Sequence, residues 1–195
     1  LANLGVSREP VYIQRIEDRN GLVLEEADYS TEGRAICSPE NAEIMIEMLR
    51  GVVNRGTASA LRRAYGIPAD MAGKTGTTQN FRDAWFVGYT PRYISGVWVG
   101  MDDGQPLGKG ETGSRTASPI WLGFMDAILK DKPVRMFQVP EGVVFSKIDA
   151  QTGLLPIPES PKTRFECFRE GTVPTETTKK PDTIVDAESF FKSDM

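Results

Sequence analysis

Apolar and polar residues alternate along two stretches of the chain, and turn-forming residues follow both of them. The first stretch, Val11–Glu17, precedes Asn20-Gly21 and the apolar run Leu22–Leu24. The second, Val143–Leu155, has a similar shape, with Asp149 and Gly153 around its turn. Alternation with a period of two is typical of half-buried strands, and Asn-Gly supplies the positive φ angles of a tight turn. The pattern therefore predicts two similar hairpins, with Asn20 and Gly21 both at positive φ in the first.

Two other segments carry apolar residues at helical spacing. Ser38-Pro39 begins the first, because serine can cap a helix and proline suits the first helical position. Ser118-Pro119 begins the second, and a shorter helix is predicted over Thr57–Tyr65. We expect the apolar rows of the two long helices to be buried. These rows are Met45, Met48, Leu49, Val52 and Val53 in the first helix, and Ile120, Trp121, Phe124, Met125 and Ile128 in the second.

Three strand-like segments lie between the two long helices. They are Asp70–Thr77, Asp83–Thr90 and Tyr93–Val99. Their short connections predict antiparallel neighbours, and a polar, glycine-rich loop over residues 101–116 separates them from the second long helix. We expect Trp85 to lie in the core and Asp83 to brace the turn over Gln79–Arg82. The fold class predicted is α+β, with an antiparallel sheet covered by helices.

Composition narrows the classes of function that are open to the chain. The 195 residues carry a formal net charge of −4, and no stretch is basic enough to predict nucleic-acid binding. No apolar run is long enough to span a membrane, so no membrane contact is expected from this segment. The absence of histidine excludes Ser-His-Asp and Cys-His mechanisms and every His-ligated zinc site. Cys37 and Cys167 could form one bridge, but two free thiols are favoured.

The end of the chain differs in composition from the rest. Residues 171–188 are rich in threonine, proline and charge, with little to bury. Such composition favours disorder. We therefore expect residues 1–170 to form the folded part and residues 171–195 to form a flexible C-terminal tail.

The sequence Lys74-Thr75-Gly76-Thr77 lies on the first of the three predicted strands. A strand alternates its side chains, so Lys74 and Gly76 are expected on one face and the threonines on the other. Lys74 offers a positive charge for a carboxylate, and threonine hydroxyls can donate to the same group. Gly76 would admit a peptide paired as an added strand, and the N–H of Thr77 could face a developing oxyanion. The alternative is a strand-edge lysine without a ligand.

Lys-Thr-Gly is one of the sequence marks of penicillin-binding proteins and class A β-lactamases. Its surroundings closely resemble the transpeptidase domain of class A penicillin-binding proteins of the 1A type, which are bifunctional peptidoglycan synthases. The similar pieces, in chain order, are Leu1–Glu25, Gly56–Ala58, Gly73–Thr78, Asp83–Pro91, Val97–Gly100, Ala117–Trp121 and Glu170–Glu176. The resemblance covers nearly the whole chain. It implies the C-terminal part of that domain, with an incomplete β-lactamase/transpeptidase-like fold.

The resemblance also implies an activity. In the family, Ser-x-x-Lys supplies the nucleophile and its base, and Ser-x-Asn shuttles protons. Lys-Thr-Gly-Thr binds the substrate carboxylate and completes the oxyanion hole. Only the last motif maps here, which makes Lys74, Thr75, Gly76 and Thr77 the expected substrate- and β-lactam-binding residues. The activity implied is serine-type D-Ala-D-Ala transpeptidation, which cross-links peptidoglycan stem peptides and is blocked when β-lactams acylate the serine.

The partners implied by the resemblance are the D-Ala-D-Ala stem peptide, β-lactams and the remainder of the transpeptidase domain, in the same chain or as a separate one. The resemblance implies no cofactor and no metal, because the family's chemistry is covalent catalysis by serine. The location implied is the periplasmic side of the bacterial inner membrane. The membrane anchor would belong to a segment absent from this chain. No nucleic-acid partner is expected.

Two of the family's three motifs have no convincing match. No Ser-x-Asn occurs, and the single Ser-x-x-Lys, Ser189–Lys192, follows Lys-Thr-Gly in the predicted tail and is interpreted as a chance match. No catalytic residue is therefore expected in this chain. The nucleophile is expected upstream of Leu1, and the fragment alone is expected to be inactive. The alternatives are a non-catalytic peptide- or partner-binding fragment, and a β-lactamase-like hydrolase.

Overall fold

The computed structural model describes residues 1–28, 33–59 and 68–179. Its contacts define two compact units, Leu1–Glu141 and Gly142–Met195. The division into a folded part over residues 1–170 and a tail over residues 171–195 stays a prediction. Most of the predicted helix Thr57–Tyr65 and all of Ser189–Lys192 lie outside the described residues. Within the described ranges, no helix is both long enough and apolar enough to cross a membrane.

Two short antiparallel pairs form the N-terminal part of the first unit. Strand β1 (Val6–Ser7) pairs with β4 (Arg34–Ala35), and β2 (Arg15–Glu17) pairs with β3 (Val23–Glu26). The first predicted hairpin is therefore confirmed as the pair β2–β3. Its strands are shorter than the apolar–polar alternation of the sequence suggests.

The turn between β2 and β3 is closed by the side chain of Asp18. Its Oδ1 accepts hydrogen bonds from the N–H groups of Asn20 (2.7 Å) and Leu22 (2.9 Å). Gly21 has a φ of 82°, but Asn20 does not adopt a positive φ. The expectation of two positive φ angles is wrong for Asn20, because side-chain to backbone bonds hold this turn instead.

Helix α1 (Pro39–Asn54) begins where the sequence predicts it. Ser38 Oγ accepts a hydrogen bond from the N–H of Asn41 (3.3 Å), as a capping serine does. Met45 and Met48 are 43% and 64% exposed, so the prediction that they belong to the core is wrong. The reason is that a neighbouring row of α1 faces the interior. The buried residues of the helix are Ala42, Glu43, Ile46 and Val53.

The central sheet contains three antiparallel strands in the order β5 (Ala72–Thr77), β6 (Asp83–Tyr89) and β7 (Ile94–Gly100). All three strands lie where the sequence predicts them, within about two residues at either end, as element boundaries usually allow. Trp85 is 44% exposed, so its predicted place in the core is wrong. The alternate residues of β6, Ala84 and Phe86, are buried instead.

Helix α2 (Ser118–Leu129) packs against the face of the sheet that carries Phe86. The rings of Phe86 and Trp121 meet edge to face, with centroids 5.0 Å apart. Ile120 and Phe124 are half exposed, so the prediction that their row is buried is wrong. The neighbouring row faces the sheet instead. It contains Trp121 and Met125, whose expected burial is confirmed, together with Leu122. The α+β class, with helices on an antiparallel sheet, is confirmed.

The second unit contains one antiparallel pair, β8 (Val143–Asp149) and β9 (Thr163–Arg169). The predicted turn is present, because the N–H of Gly153 donates to the Asp149 carbonyl (2.9 Å). The predicted strand partner is wrong, because β8 pairs with β9 rather than with Leu154 and Leu155. Pro156 and Pro158 follow those leucines and lack the N–H groups that a ladder needs.

The described part of the predicted tail runs back along the second unit. The N–H of Leu155 donates to the Glu176 carbonyl (3.0 Å), and the N–H of Thr178 donates to the Leu155 carbonyl (2.8 Å). Residues 180–195 lie outside the described residues. The flexible tail therefore stays a prediction. Neither Cys37 nor Cys167 forms a disulfide.

Candidate functional site

Strand β5 carries the Lys74–Thr77 sequence and lies at one edge of the three-stranded sheet. The N–H of Thr78 donates to the Asp83 carbonyl (3.1 Å), and the register continues with Thr77 opposite Ala84. Hydrogen-bonded and non-bonded pairs alternate along an antiparallel ladder. The N–H and C=O groups of Thr77 and Thr75 therefore point away from β6, toward the free edge of the sheet.

Lys74 reaches this free edge from its own strand. Its Nζ donates to the carbonyl oxygen of Thr75 (2.7 Å) and lies 3.5 Å from Thr75 Oγ1. The hydroxyl groups of Thr75 and Thr57 lie 3.1 Å apart, which connects the edge to the segment after α1. An ammonium group, a backbone carbonyl and two hydroxyl groups thus converge at one position. Such a cluster can bind a carboxylate through charge-assisted hydrogen bonds.

Thr77 is held from the opposite direction, by the segment that precedes α2. Residues 113–117 form a π-helical turn, Gly113–Ala117, that leads directly into α2. The N–H of Gly113 donates to Thr77 Oγ1 (3.0 Å), and Ser118 Oγ donates to the Gly113 carbonyl (2.9 Å). Thr77 is exposed, whereas Gly113 and Ser118 are buried. The hydroxyl of Thr77, a residue that is exposed as a whole, therefore accepts a hydrogen bond from a buried N–H group.

Asp83 braces the turn between β5 and β6, as the sequence predicts. Its carboxylate accepts hydrogen bonds from Trp98 Nε1 and from Thr78 Oγ1, both at 2.9 Å. Its own N–H donates back to Thr78 Oγ1 (2.9 Å). These bonds, with that of Trp98 the larger cause, lower the pKa of the Asp83 carboxyl. A charged Asp83 therefore ties β7 to the end of β5.

Four residues of this arrangement were not expected from the sequence to contact it. They are Thr57, Trp98, Gly113 and Ser118. Thr57 lies in a piece similar to the family, Gly56–Ala58, and this was the only signal that could have identified it. Gly113 is one of several glycines in its loop, so no local pattern distinguishes it. Ser118 was interpreted only as the start of a helix.

The surface of the first unit also has two concavities, one apart from β5 and one at the end of that strand. A cavity of about 190 Å³ lies between the C-terminal end of α2 and the β6–β7 turn, and no residue of β5 lines it. An open groove at the end of β5 is lined by Thr77, Thr78, Gln79, Arg82 and Asp83. Over the described ranges, no cluster of three or more His, Cys, Asp or Glu side chains could hold a metal ion.

Comparison with known proteins assigns nearly the whole chain. Residues 1–125 match the model of the penicillin binding protein transpeptidase domain, and residues 139–183 match that of the penicillin-binding protein 1A C-terminal domain. Penicillin-binding protein 1A of Aquifex aeolicus is 45% identical over 139 residues, which are 71% of this chain. Penicillin-binding protein 1A of Pseudomonas aeruginosa is 40% identical over 152 residues, or 77% of this chain.

Among solved structures, the chain is similar to the crystal structure of penicillin-binding protein 1A from Haemophilus influenzae. The TM-score is 0.77 at 30% sequence identity, and the match covers 91% of this chain and 31% of that one. The chain spans only 18% of the length of the Aquifex and Pseudomonas relatives. The fold is thus that of part of a transpeptidase domain, and the chain belongs to the penicillin-binding protein transpeptidase family.

Proposed function

We propose that this chain is part of a serine-type D-Ala-D-Ala transpeptidase that cross-links peptidoglycan stem peptides and is acylated by β-lactams. In this proposal the chain supplies the strand that binds substrate and not the nucleophile. The observation that carries the proposal is the free edge of β5, where Lys74 Nζ lies 2.7 Å from the Thr75 carbonyl oxygen. Because the chain spans a small part of its relatives, the activity belongs to a larger protein.

Recognition of a terminal carboxylate is the role proposed for Lys74 and the hydroxyl groups beside it. Peptides that end in D-Ala-D-Ala and penicillins both carry a carboxylate near the carbonyl that is attacked. Without ligand, the ammonium group of Lys74 donates to the Thr75 carbonyl and lies near Thr75 Oγ1. A carboxylate would offer it a charged acceptor, which makes a stronger hydrogen bond than a neutral carbonyl does.

Strand pairing and oxyanion binding are the roles proposed for Thr77 and Gly76. The outward N–H and C=O groups of Thr77 offer an extended ligand the pairing that an edge strand offers an added strand. When the serine oxygen adds to the ligand's carbonyl carbon, the carbonyl oxygen becomes negatively charged. The N–H of Thr77 is proposed to donate to that oxygen. Gly76 leaves room for the ligand backbone because it has no side chain.

The remaining chemistry is assigned to parts of the domain outside these 195 residues. A serine hydroxyl adds to the penultimate D-Ala carbonyl, the C–N bond breaks, and D-alanine leaves with the serine's proton. The amino group of a second stem peptide then attacks the acyl-serine ester, which forms the cross-link and frees the serine. We place the parent protein on the periplasmic side of the inner membrane, anchored by a segment outside this chain.

Substitution of Lys74 tests the proposal. In the full-length protein, Lys74→Ala should lower the second-order rate constant of acylation by a fluorescent penicillin about tenfold or more. The reason is the loss of a charge-assisted hydrogen bond, which contributes about 1.5–3 kcal/mol. The rate of labelling is read from a denaturing gel. Acylation at the wild-type rate would remove Lys74 from the site.

Two control variants accompany this experiment. Lys147→Ala removes an exposed lysine from β8 in the second unit, and Ser189→Ala removes the serine of the chance motif. Both should acylate at the wild-type rate. Loss of labelling in Ser189→Ala would place the nucleophile in this chain and overturn the proposed division of roles.

The same gel separates the two alternative functions. A long-lived label is expected for a transpeptidase, whereas a label that turns over rapidly would favour a β-lactamase-like hydrolase. Wild-type full-length protein that takes no label would favour a non-catalytic peptide- or partner-binding role. In the isolated chain, the expected result is no label, because the nucleophile is assigned elsewhere.

A further inference from the structure

The junction between the glycine-rich loop and α2 donates a hydrogen bond to the candidate site at the hydroxyl group of Thr77. The N–H of Gly113 donates to Thr77 Oγ1 (3.0 Å). A threonine hydroxyl has one proton to donate and two acceptor positions. Gly113 occupies one acceptor position, so the hydroxyl proton must point in another direction. Thr77 is exposed and lies on the edge strand, so a ligand bound along that edge would lie beside its side chain.

Gly113 can approach Thr77 only because it has no side chain. A Cβ atom at this position would lie 2.2 Å from the carbonyl oxygen of Trp85 and 2.5 Å from that of Gly76. Both oxygens belong to the backbone of the sheet, so neither can rotate away as a flexible side chain would. Any other residue would have to lift this segment off the sheet and away from Thr77.

Ser118 fixes Gly113 from the side of α2. Its Oγ donates to the Gly113 carbonyl (2.9 Å), and its backbone N–H donates to the same oxygen. Ser118 has no exposed surface, so water does not compete for this bond. Ser118, Gly113 and Thr77 thus form a continuous chain of hydrogen bonds from the buried start of α2 to the exposed edge of β5.

We propose that Gly113 and Ser118 are positioning residues that orient the Thr77 hydroxyl so that it donates to the carboxylate of the stem peptide or β-lactam. This inference rests on the proposed function. Neither residue touches the ligand, and both act through Thr77. Orientation of a donor before the ligand arrives avoids the entropy of ordering it on binding.

A double-mutant cycle tests this role. In the full-length protein, Ser118→Ala should lower the second-order rate constant of penicillin acylation about fivefold, the change equivalent to one net hydrogen bond of about 1 kcal/mol. In a Thr77→Val background, which lacks the hydroxyl, Ser118→Ala should change the remaining rate less than about twofold, because coupled residues are not additive. Equal losses in both backgrounds would overturn the proposal, because a merely structural effect does not depend on the Thr77 hydroxyl.

A neighbouring hydroxyl in the same turn provides the matched control. Thr116 Oγ1 donates to Glu111 Oε2 (2.7 Å) and takes no part in the bonds to Gly113. Thr116→Val should therefore leave acylation unchanged, with any effect limited to the melting temperature. A loss of acylation equal to that of Ser118→Ala would contradict a specific route through Gly113.

Gly113→Ala gives a second, larger change. If the variant folds, its acylation should fall more than that of Ser118→Ala, because the new Cβ displaces the N–H from Thr77. If it does not fold, the double-mutant cycle of Ser118 and Thr77 still tests the positioning role. The Lys74→Ala result separates the two proposals. Wild-type acylation in Lys74→Ala would overturn both, whereas impaired Lys74→Ala with unaffected Ser118→Ala would overturn only the positioning role.

Discussion

At the scale of single residues, Glu43 has an environment that an ionised carboxylate tolerates poorly. It lies on the buried side of α1, and neither carboxylate oxygen has a hydrogen-bond partner among the residues that the structure describes. Burial raises the pKa of Glu43, the charge of Arg50 lowers it, and the charge of Asp70 raises it. Within the described part of the chain, the hydroxyl of Tyr89 is also buried without a hydrogen-bond partner, and burial together with the charge of Glu43 raises its pKa to about 12.

The environment of Glu43 leads to a prediction about pH. A carboxyl whose pKa is raised in the folded state stabilises the fold fully below its unfolded pKa, here 4.5, and that stability is lost as pH rises through the folded pKa. Glu43→Gln cannot ionise and should escape this loss. Its Tm should therefore exceed that of wild type by about 2–4 °C near pH 8, which is the shift that a stability change of about 1 kcal/mol causes in a protein of this size. Near pH 4 the difference should disappear.

Thermal unfolding across pH 4–8 checks this prediction, with Glu9→Gln as the control. Glu9 is exposed, so its replacement should leave Tm unchanged at every pH. A Glu43→Gln variant that is less stable than wild type at pH 8 would contradict the argument. It would mean that the ionised carboxylate has a stabilising partner in solution.

The site residues divide into those that local sequence could identify and those that it could not. Lys74 to Thr77 form a contiguous motif, so their shared strand could be predicted, although their binding role stays a proposal. Gly113 lies 36 residues from Thr77, and Trp98 lies 15 residues from Asp83. Contacts over such separations depend on how the loop and β7 return to β5. The local pattern of a single sequence does not specify that return.

At the scale of elements, the turn between β5 and β6 depends on the charge of Asp83. Trp98 and Thr78 donate to its carboxylate and lower its pKa. A carboxyl whose pKa is lowered in the folded state contributes stability above its unfolded pKa of 3.8, and this contribution is lost as pH falls through the folded pKa. Asp83→Asn should therefore lower Tm at pH 7, and the difference from wild type should shrink below about pH 4.

Melting curves of wild type and Asp83→Asn at pH 3, 5 and 7 measure this effect. Asp103→Asn is the control, because Asp103 accepts only a local bond from the N–H of Gln105 in an exposed loop. A pH-independent difference for Asp83→Asn would indicate that the shape of the side chain, and not its charge, holds the turn.

The elements themselves were largely predictable, because their signals are local. Ser38-Pro39 marked the start of α1, and short connections marked the antiparallel order of β5, β6 and β7. The buried face of each helix was harder to predict, since several rows of α1 and α2 are apolar. Which row is buried depends on what packs against the helix. Met48 and Phe124 are exposed for this reason.

At the scale of the whole molecule, many large apolar side chains of the first unit are exposed and take no part in its core. The β2–β3 hairpin and the segment before it expose Tyr12, Ile13, Leu22 and Leu24 by 63–89%. Trp85, Ile94 and Trp98 are exposed on one face of the sheet. Contiguous exposed patches of this kind mark interaction surfaces or aggregation sites. We propose that the remainder of the transpeptidase domain covers them.

This proposal predicts how the isolated chain behaves toward a probe for apolar surfaces. The 195-residue chain alone should enhance the fluorescence of ANS, because this dye binds exposed hydrophobic surface. The full-length protein at the same molar concentration should enhance it less. Replacement of Ile13, Leu22 and Leu24 by threonine should reduce the ANS signal of the isolated chain. In the full-length protein the same change should lower the stability, because there the remainder of the domain would cover these side chains. An isolated chain that does not bind ANS would contradict the proposal, because its apolar residues would then already be covered. Sedimentation would show whether they are covered by the chain itself or by a second copy.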